Sequence, residues 1–198
     1  MSPKIGVLSL QGDFAEHIAV LKSLKVEPQE VRLPRDMDGL HGLIIPGGES
    51  TTFAHLMDIY CLREPISKRV SEGMAIWGTC AGMIMMASNI SEPRPVPMRL
   101  LDIDVTRNFY GRQVDSFETD LVVEVLSDEP FHAIFIRAPA ISRVGSRVKV
   151  LASLDGAGPV AVQQGQLLAT SFHPELTGDS RFHRYFLGLA EKVNFSND

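Results

Sequence analysis

The chain has 198 residues, with 24 acidic residues against 19 Lys and Arg, a formal net charge of −5, 44% hydrophobic residues and two cysteines. This length supports one α/β domain with a substantial core, so residues 1–198 are read as a single domain, and the composition excludes a disordered or collagen-like chain. The acidic balance argues against nucleic acid as a partner, because phosphate binding needs a basic surface. Cys61 and Cys80 are too few for a disulfide framework, and a reducing, cytoplasmic setting is expected.

Ile5 to Leu10 is a short apolar run of the buried parallel-strand type. Gln11-Gly12-Asp13 turns the chain, with Asp13 placed to cap a helix running to about Leu24. Phe14, Ile18, Leu21 and Leu24 repeat there at helical spacing. A second strand is expected over Val26–Leu33, weakened by Pro28, and a third over Gly42–Ile45, ending in Pro46-Gly47-Gly48-Glu49-Ser50. Helices are predicted over Thr51–Tyr60 and Pro65–Glu72, the latter with Pro65 in its first turn. Met74–Trp77 is a further buried strand, running through Gly78-Thr79-Cys80-Ala81-Gly82 into a buried helix. This alternation predicts an α/β fold with a central, mostly parallel sheet covered on both faces.

Gly73 to Ser91 carries no charge and approaches the length of a membrane span, but its glycines and polar residues leave no continuous apolar block. No membrane association is therefore expected, and the opening Met1-Ser2-Pro3-Lys4 does not resemble a signal peptide. Three prolines between Glu92 and Pro97 impose a loop. Strands are then expected at Leu101–Thr106, Asp120–Leu126, Ile134–Ile136, Arg147–Leu154 and Val160–Gln163. Gln164-Gly165 joins the last of these to Leu167–Phe172 as a hairpin, and a helix from about Ser180 to Lys192 closes the pattern.

Gly78-Thr79-Cys80-Ala81-Gly82 has the form of a nucleophile elbow, in which a strand turns so sharply into a helix that the flanking residues must be small. A cysteine there meets the backbone N–H groups and positive dipole end of a helix, which favour the thiolate. Cys61 has no such setting and reads as structural. Among six histidines, His173 ends a strand in Ser171-Phe172-His173-Pro174-Glu175. In extended backbone Glu175 shares its face and can orient the imidazole. His17 and His183 fall in helical patterns and read as solvent or packing residues. No cluster has the spacing of a known metal site. The turn at Gly47-Gly48 lacks the lysine of a phosphate loop; taken alone it reads as a sharp βα turn, and the alternative is that the N–H of Gly48 joins that of Ala81 in an oxyanion hole. Arg107 and Arg137 end strand-like segments, where a guanidinium can clamp a carboxylate, although most arginines in such positions are simply exposed.

The elbow together with His173-Pro174-Glu175 resembles the triad of class I (triad-type) glutamine amidotransferases. Further segments match more narrowly: Gly6 to Asp13 with Glu16-His17, Pro46 to Thr51, Arg107 to Gln113, Phe135 to Pro139, and Ala169 to Thr177. These are similar to the glutaminase subunits of pyridoxal 5′-phosphate synthase, over about Ile5 to Leu189. One departure is Phe109-Tyr110, where Tyr110 stands at a position usually held by Phe.

The resemblance implies a flavodoxin-like, three-layer class I glutamine amidotransferase fold and hydrolysis of L-glutamine to glutamate and ammonia, with no cofactor and no metal. It assigns Cys80 as nucleophile, His173 as acid and base, and Glu175 as its orienting carboxylate. Gly48 and Ala81 match the oxyanion-hole positions, and Gly48, Glu49, Ser50, Arg107, Ile136 and Arg137 match glutamine-binding positions. Gln11 matches a residue near the contact with a separate (β/α)₈-barrel synthase, which would receive the ammonia and whose docking would complete the oxyanion hole. Two alternatives stand beside this reading: a free-standing cysteine hydrolase on a similar sheet, and a catalytically inert regulatory subunit that keeps the fold.

Overall fold

In the computed structural model, which describes residues 2–107 and 116–193, a seven-stranded sheet forms the centre of the molecule. Its strands run, edge to edge, β10 (Lys149–Leu154), β11 (Gly158–Gln164), β12 (Leu167–Thr170), β4 (Ala75–Thr79), β3 (Gly42–Ile45), β1 (Ile5–Leu8) and β2 (Gln29–Val31). The five strands from β12 to β2 are mutually parallel, and β11 and β10 extend the sheet antiparallel through the anticipated hairpin. Strands β1, β3, β4 and β12 are buried at every residue, as parallel strands covered on both faces must be.

The pleat sorts these strands into two cores. Leu8, Leu43, Ile45, Ile76 and Ala169 face one side, with α2 (Ser50–Ile59), α3 (Arg63–Ser71) and α4 (Ala81–Met86) packed there through Phe53, Met57, Ile66, Met83 and Met86. Ile5, Val7, Ile44, Trp77 and Leu168 face the other, covered by α1 (Phe14–Ser23) and α5 (Arg181–Ala190) through Leu21, Phe182, Phe186 and Leu189. This is the three-layer α/β/α arrangement expected from the sequence.

Two small sheets are added. β5 (Ala87–Ile90), β6 (Leu101–Thr106) and β9 (Ala140–Val144) lie against the first core, and β7 (Ser116–Leu121) pairs with β8 (Phe131–Ile136) over the second. Strands β5 and β9 are not anticipated by the sequence pattern: the buried helix stops at Met86 and the chain straightens at once into β5. β7 lies earlier than the expected Asp120–Leu126, because its residues from Ser116 to Asp120 remain partly exposed and lack an apolar stripe. β2 is cut to three residues beyond Pro28. The segment from Asn108 to Asp115, with Phe109, Tyr110 and Gln113, lies outside the described residues. Among the described residues no helix is long and apolar enough to cross a membrane.

Candidate active site

The parallel pairing of β4 with β12 sets Gly78 beside Ala169 and Thr79 beside Thr170. Both strands end at the same edge, so Cys80 and the Ser171-Phe172-His173 segment emerge side by side, at the carboxyl ends of strands where open α/β sheets gather their ligands. The Cys80 N–H still donates to the Thr170 carbonyl at 2.8 Å, and the His173 N–H donates to the Ile134 carbonyl of β8 at 2.9 Å.

Cys80 takes φ 45° and ψ −101°, a left-handed conformation that costs an L-residue roughly 1–3 kcal/mol and needs support from its surroundings. Close backbone contact supplies that support. A Cβ on Gly78 would lie 2.5 Å from the Gly82 carbonyl carbon, and one on Gly82 would run into the Ile45 carbonyl of β3. Any larger residue at either glycine would push the helix off the sheet, so the small-residue pattern of the elbow has a steric cause.

His173 is 3% exposed. Its Nδ1 lies 2.8 Å from Glu175 Oε1 and 3.3 Å from Asp13 Oδ2, which fixes the proton on Nδ1 and leaves Nε2 for the nucleophile. Burial opposes a charge on this ring, but hydrogen bonds to Asp13, Cys80 and Glu175, with the charge of Cys80, outweigh it and push its pKa up to about 12. Burial also pushes the Glu175 carboxyl up, against the lowering effect of the His173 hydrogen bond. A Cβ on Gly47 would strike the His173 ring, so the loop after β3 can pass the imidazole only as glycine.

Around this pair lies a pocket of about 300 Å³, lined by Asp13, Gly48, Glu49, Ser50, Cys80, Ile84, Arg107, Ile136, Arg137 and His173. Glu49 caps α2, accepting hydrogen bonds from the N–H groups of Thr51 at 3.0 Å and Thr52 at 2.7 Å. Burial raises its pKa, yet these bonds dominate and bring it down to about 2. Arg107 stands 3.6 Å from Glu49 and also donates to the Arg94 carbonyl. Arg137 is exposed at the rim with φ 43°, and Cys80 Sγ lies 3.9 Å from the neighbouring Ile136 carbonyl. Gly48 has φ +146°, and its Cβ position is filled by the Gln11 amide. That amide both donates to the Glu49 carbonyl and accepts from the Glu49 N–H, each at 3.3 Å. Gln11 thus ties the Gly48 turn to the end of β1.

The pocket gathers a thiol, an imidazole, the two carboxylates of Asp13 and Glu49 and two guanidiniums, a set that suits a small zwitterion bearing an acylating group. Of the residues expected from sequence, Gly48, Glu49, Ser50, Arg107, Ile136 and Arg137 line it with Cys80 and His173, while Glu175 stands behind His173. Ala81 opens α4, where the first N–H groups have no intrahelical partner. Cys61 is exposed, remote in type from the buried Cys80.

Two expectations need correction, and one spatial grouping was not anticipated. Asp13 makes no side-chain cap to α1 and turns instead to His173, a stronger partner than a neutral N–H. His17 and His183 are neither solvent residues nor plain packing: both are fully buried and hydrogen-bonded to each other, with His17 also reaching toward Glu175. Finally, Asp13, His173 and Glu175 bring their ligand atoms within 4.8 Å of one another, a grouping that sequence spacing hides. Here both carboxylates converge on the single Nδ1 of His173, the geometry of an oriented imidazole. For His17, a usable signal existed in its position four residues before Leu21 and four after Asp13, on the buried side of α1.

Comparisons with known proteins show the family and the fold. A family profile described as the SNO glutamine amidotransferase family matches residues 7–192. The pyridoxal 5′-phosphate synthase subunit PdxT of Herpetosiphon aurantiacus is 57% identical over 188 residues, covering 93% of this chain and 99% of that one. Its counterpart from Thermus thermophilus is 55% identical, covering 94% and 97%. A crystal structure of a glutamine amidotransferase superposes with a TM-score of 0.89 at 52% identity, covering 94% of this chain and 98% of that one. The structure of PurLQS from Thermotoga maritima, at 17% identity and a TM-score of 0.72 over 95% of this chain and 99% of that one, shares the fold.

Proposed function

We propose, from the premise that this chain belongs to the SNO glutamine amidotransferase family, that it is the glutaminase subunit of a pyridoxal 5′-phosphate synthase and hydrolyses L-glutamine through Cys80, His173 and Glu175. The observation that carries the residue assignment is the pocket itself. Its floor holds Cys80 and His173, and its walls hold Glu49, Arg107 and Arg137, opposite charges suited to both ends of a free amino acid.

In this reading the Cys80 thiolate attacks the side-chain carbonyl carbon of glutamine. Negative charge gathers on the amide oxygen, and the N–H groups of Gly48 and Ala81 receive it. His173, protonated across from the thiolate, gives its proton from Nε2 to the departing ammonia, leaving a glutamyl thioester. Water then attacks the thioester with His173 as base, releasing glutamate and restoring Cys80. Glu175 holds the imidazole through Nδ1 and balances its charge. Arg107 and Arg137 take the α-carboxylate, Glu49 and the Ile136 carbonyl take the α-amino group, and Ser50 closes the wall between them.

Residues 1–198 act as one glutaminase unit, and the ammonia passes to a (β/α)₈-barrel synthase docked beside Gln11. That docking sets the Gly48 turn, which the Gln11 amide already grips. The exposed thiol of Cys61 and the working thiol of Cys80 suit the reducing cytoplasm. The test is release of glutamate and ammonia from glutamine with and without the synthase subunit. Cys80→Ala is expected to abolish turnover while leaving the melting temperature unchanged. Turnover that survives this substitution refutes the mechanism.

A further inference from the structure

Behind Glu175 the polar chain continues into the core. Glu175 Oε1 accepts from His173, but Oε2 is buried with no hydrogen bond of ordinary length among the described residues. The group that faces it is His17, whose Nε2 lies 3.4 Å from Oε2 and 3.3 Å from Thr79 Oγ1. On its other side, His17 Nδ1 lies 3.0 Å from His183 Nε2 on α5. Trp77 makes T-shaped contacts with both imidazoles. Both rings are fully buried, with no exposed edge.

The shared contact permits two proton arrangements. If His17 carried its proton on Nδ1, it would donate to His183 and turn a bare lone pair on Nε2 toward a carboxylate oxygen, an unfavourable contact. If His183 donates from Nε2, His17 accepts at Nδ1 and carries its proton on Nε2, aimed between Glu175 Oε2 and Thr79. Only the second arrangement gives every facing pair a donor and an acceptor, and it leaves His183 Nδ1 as an acceptor without a partner among the described residues. The chain then runs His183 to His17 to Glu175 to His173 to Cys80.

We propose that His17, locked in its Nε2–H tautomer by His183, is a positioning residue that keeps the Glu175 carboxylate ionised and turned toward His173. This rests on the triad assignment above and extends it inward by two residues. The need follows from burial, which favours the neutral form of Glu175. The titratable groups around Glu175 are His173 on its own segment, Asp13 and His17 from the first turn and α1, with Cys80 and His183 one contact further out. Asp13 opposes the Glu175 charge, while His173 and the backbone N–H of Glu175 favour it; His17 is the group that faces the remaining oxygen, Oε2, which no other side chain among the described residues satisfies. His17 does this without a charge of its own: burial, then the neighbouring His183 and His173, hold its pKa well below 6.5. Burial likewise brings His183 down to about 3. With Glu175 neutral, His173 would release its proton more readily and the thiolate–imidazolium pair would revert to a neutral thiol and imidazole.

The test follows the alkylation of Cys80 by iodoacetamide in the full chain as a function of pH, with peptides resolved by mass spectrometry so that exposed Cys61 is counted separately. It needs no glutamine, so failure of the glutaminase assay and failure of this inference are read independently. The wild-type chain should show a plateau of Cys80 reactivity across the neutral range. His17→Leu should lower that plateau by about tenfold or more, with reactivity returning only in alkaline solution, the scale on which removing a group that orients an active ligand is felt. His17→Gln, whose amide N–H reaches the place of Nε2, should recover the plateau to within about threefold, whereas the shorter His17→Asn should fall with the leucine variant. Should His17→Leu fail to fold, the Gln and Asn pair decides alone. A wild-type chain without a plateau, a folded leucine variant that keeps it, or glutamine and asparagine variants that behave alike overturns the proposal.

Discussion

The two faces of the central sheet are filled by different chemistry. One core is aliphatic and sulfur-rich, with Met37, Met57, Met74, Met83, Met85 and Met86 packed around α2, α3 and α4. The other is aromatic, with Trp77, Phe131, Phe135, Phe172 and, from α5 itself, Phe182 and Phe186 in stacked, tilted and edge-to-face contact. Unbranched methionines adapt to irregular space, which suits a side that must accept a short helix and an added sheet. Rings hold fixed angles, and only on their side are histidines buried with hydrogen bonds among the described residues. The active pair straddles the two: Cys80 begins a helix of the methionine side, and the support of His173 lies on the aromatic side.

This contrast can be broken in graded steps. Phe182 is fully buried and contacts Trp77, Phe131 and Phe172, so Phe182→Ala should cost about 4 kcal/mol in denaturant unfolding and loosen the wall behind His17. Gly82→Ala, which drives a methyl into the Ile45 carbonyl, should cost about 3 kcal/mol and abolish Cys80 reactivity, because the elbow itself is displaced. Acidification comes next. His183 is held neutral in the folded chain, down to about 3, so between that value and 6.5 the unfolded chain binds the extra proton. Stability from this group is present above about 6.5 and drains away as pH falls, by about 2 kcal/mol at pH 5. Melting curves from pH 7 to 5 should show the decline, and His183→Gln should make it shallower, leaving the share of His17. Smallest is Met57→Leu on the opposite face, expected below about 1.5 kcal/mol with no change in glutamine turnover.

Much of this was readable beforehand, and the reason is periodicity. The parallel strands are short unbroken apolar runs, and the elbow and the His173-Pro174-Glu175 segment carry their chemistry in adjacent residues. What escaped was whatever depended on contacts far along the chain. β9 pairs with β6 across almost forty positions, with Asp104 opposite Arg143, and neither strand's residues announce the partner. His17 and His183 stand 166 positions apart, each resembling an ordinary helical histidine until α1 and α5 are laid on the same face. Asp13 was legible as a cap by type and place, but tertiary structure offered it an imidazole instead.

The ladder between β4 and β12 also acts as a ruler. Nucleophile and base are separated by 93 positions, from Cys80 to His173, yet a backbone ladder that runs up to Thr79, the residue before Cys80, fixes their offset. A slip of one position would carry His173 about 3.3 Å along the strand and turn alternate side chains to the wrong face. The loops that join the elements between these two strands can lengthen or shorten without altering that offset, provided β8 still offers the Ile134 carbonyl to His173 and the ends of β6 and β8 still line the pocket. The spacing that the chemistry needs is thereby held by the sheet, and the connecting loops are left free to specialise in whom the molecule meets.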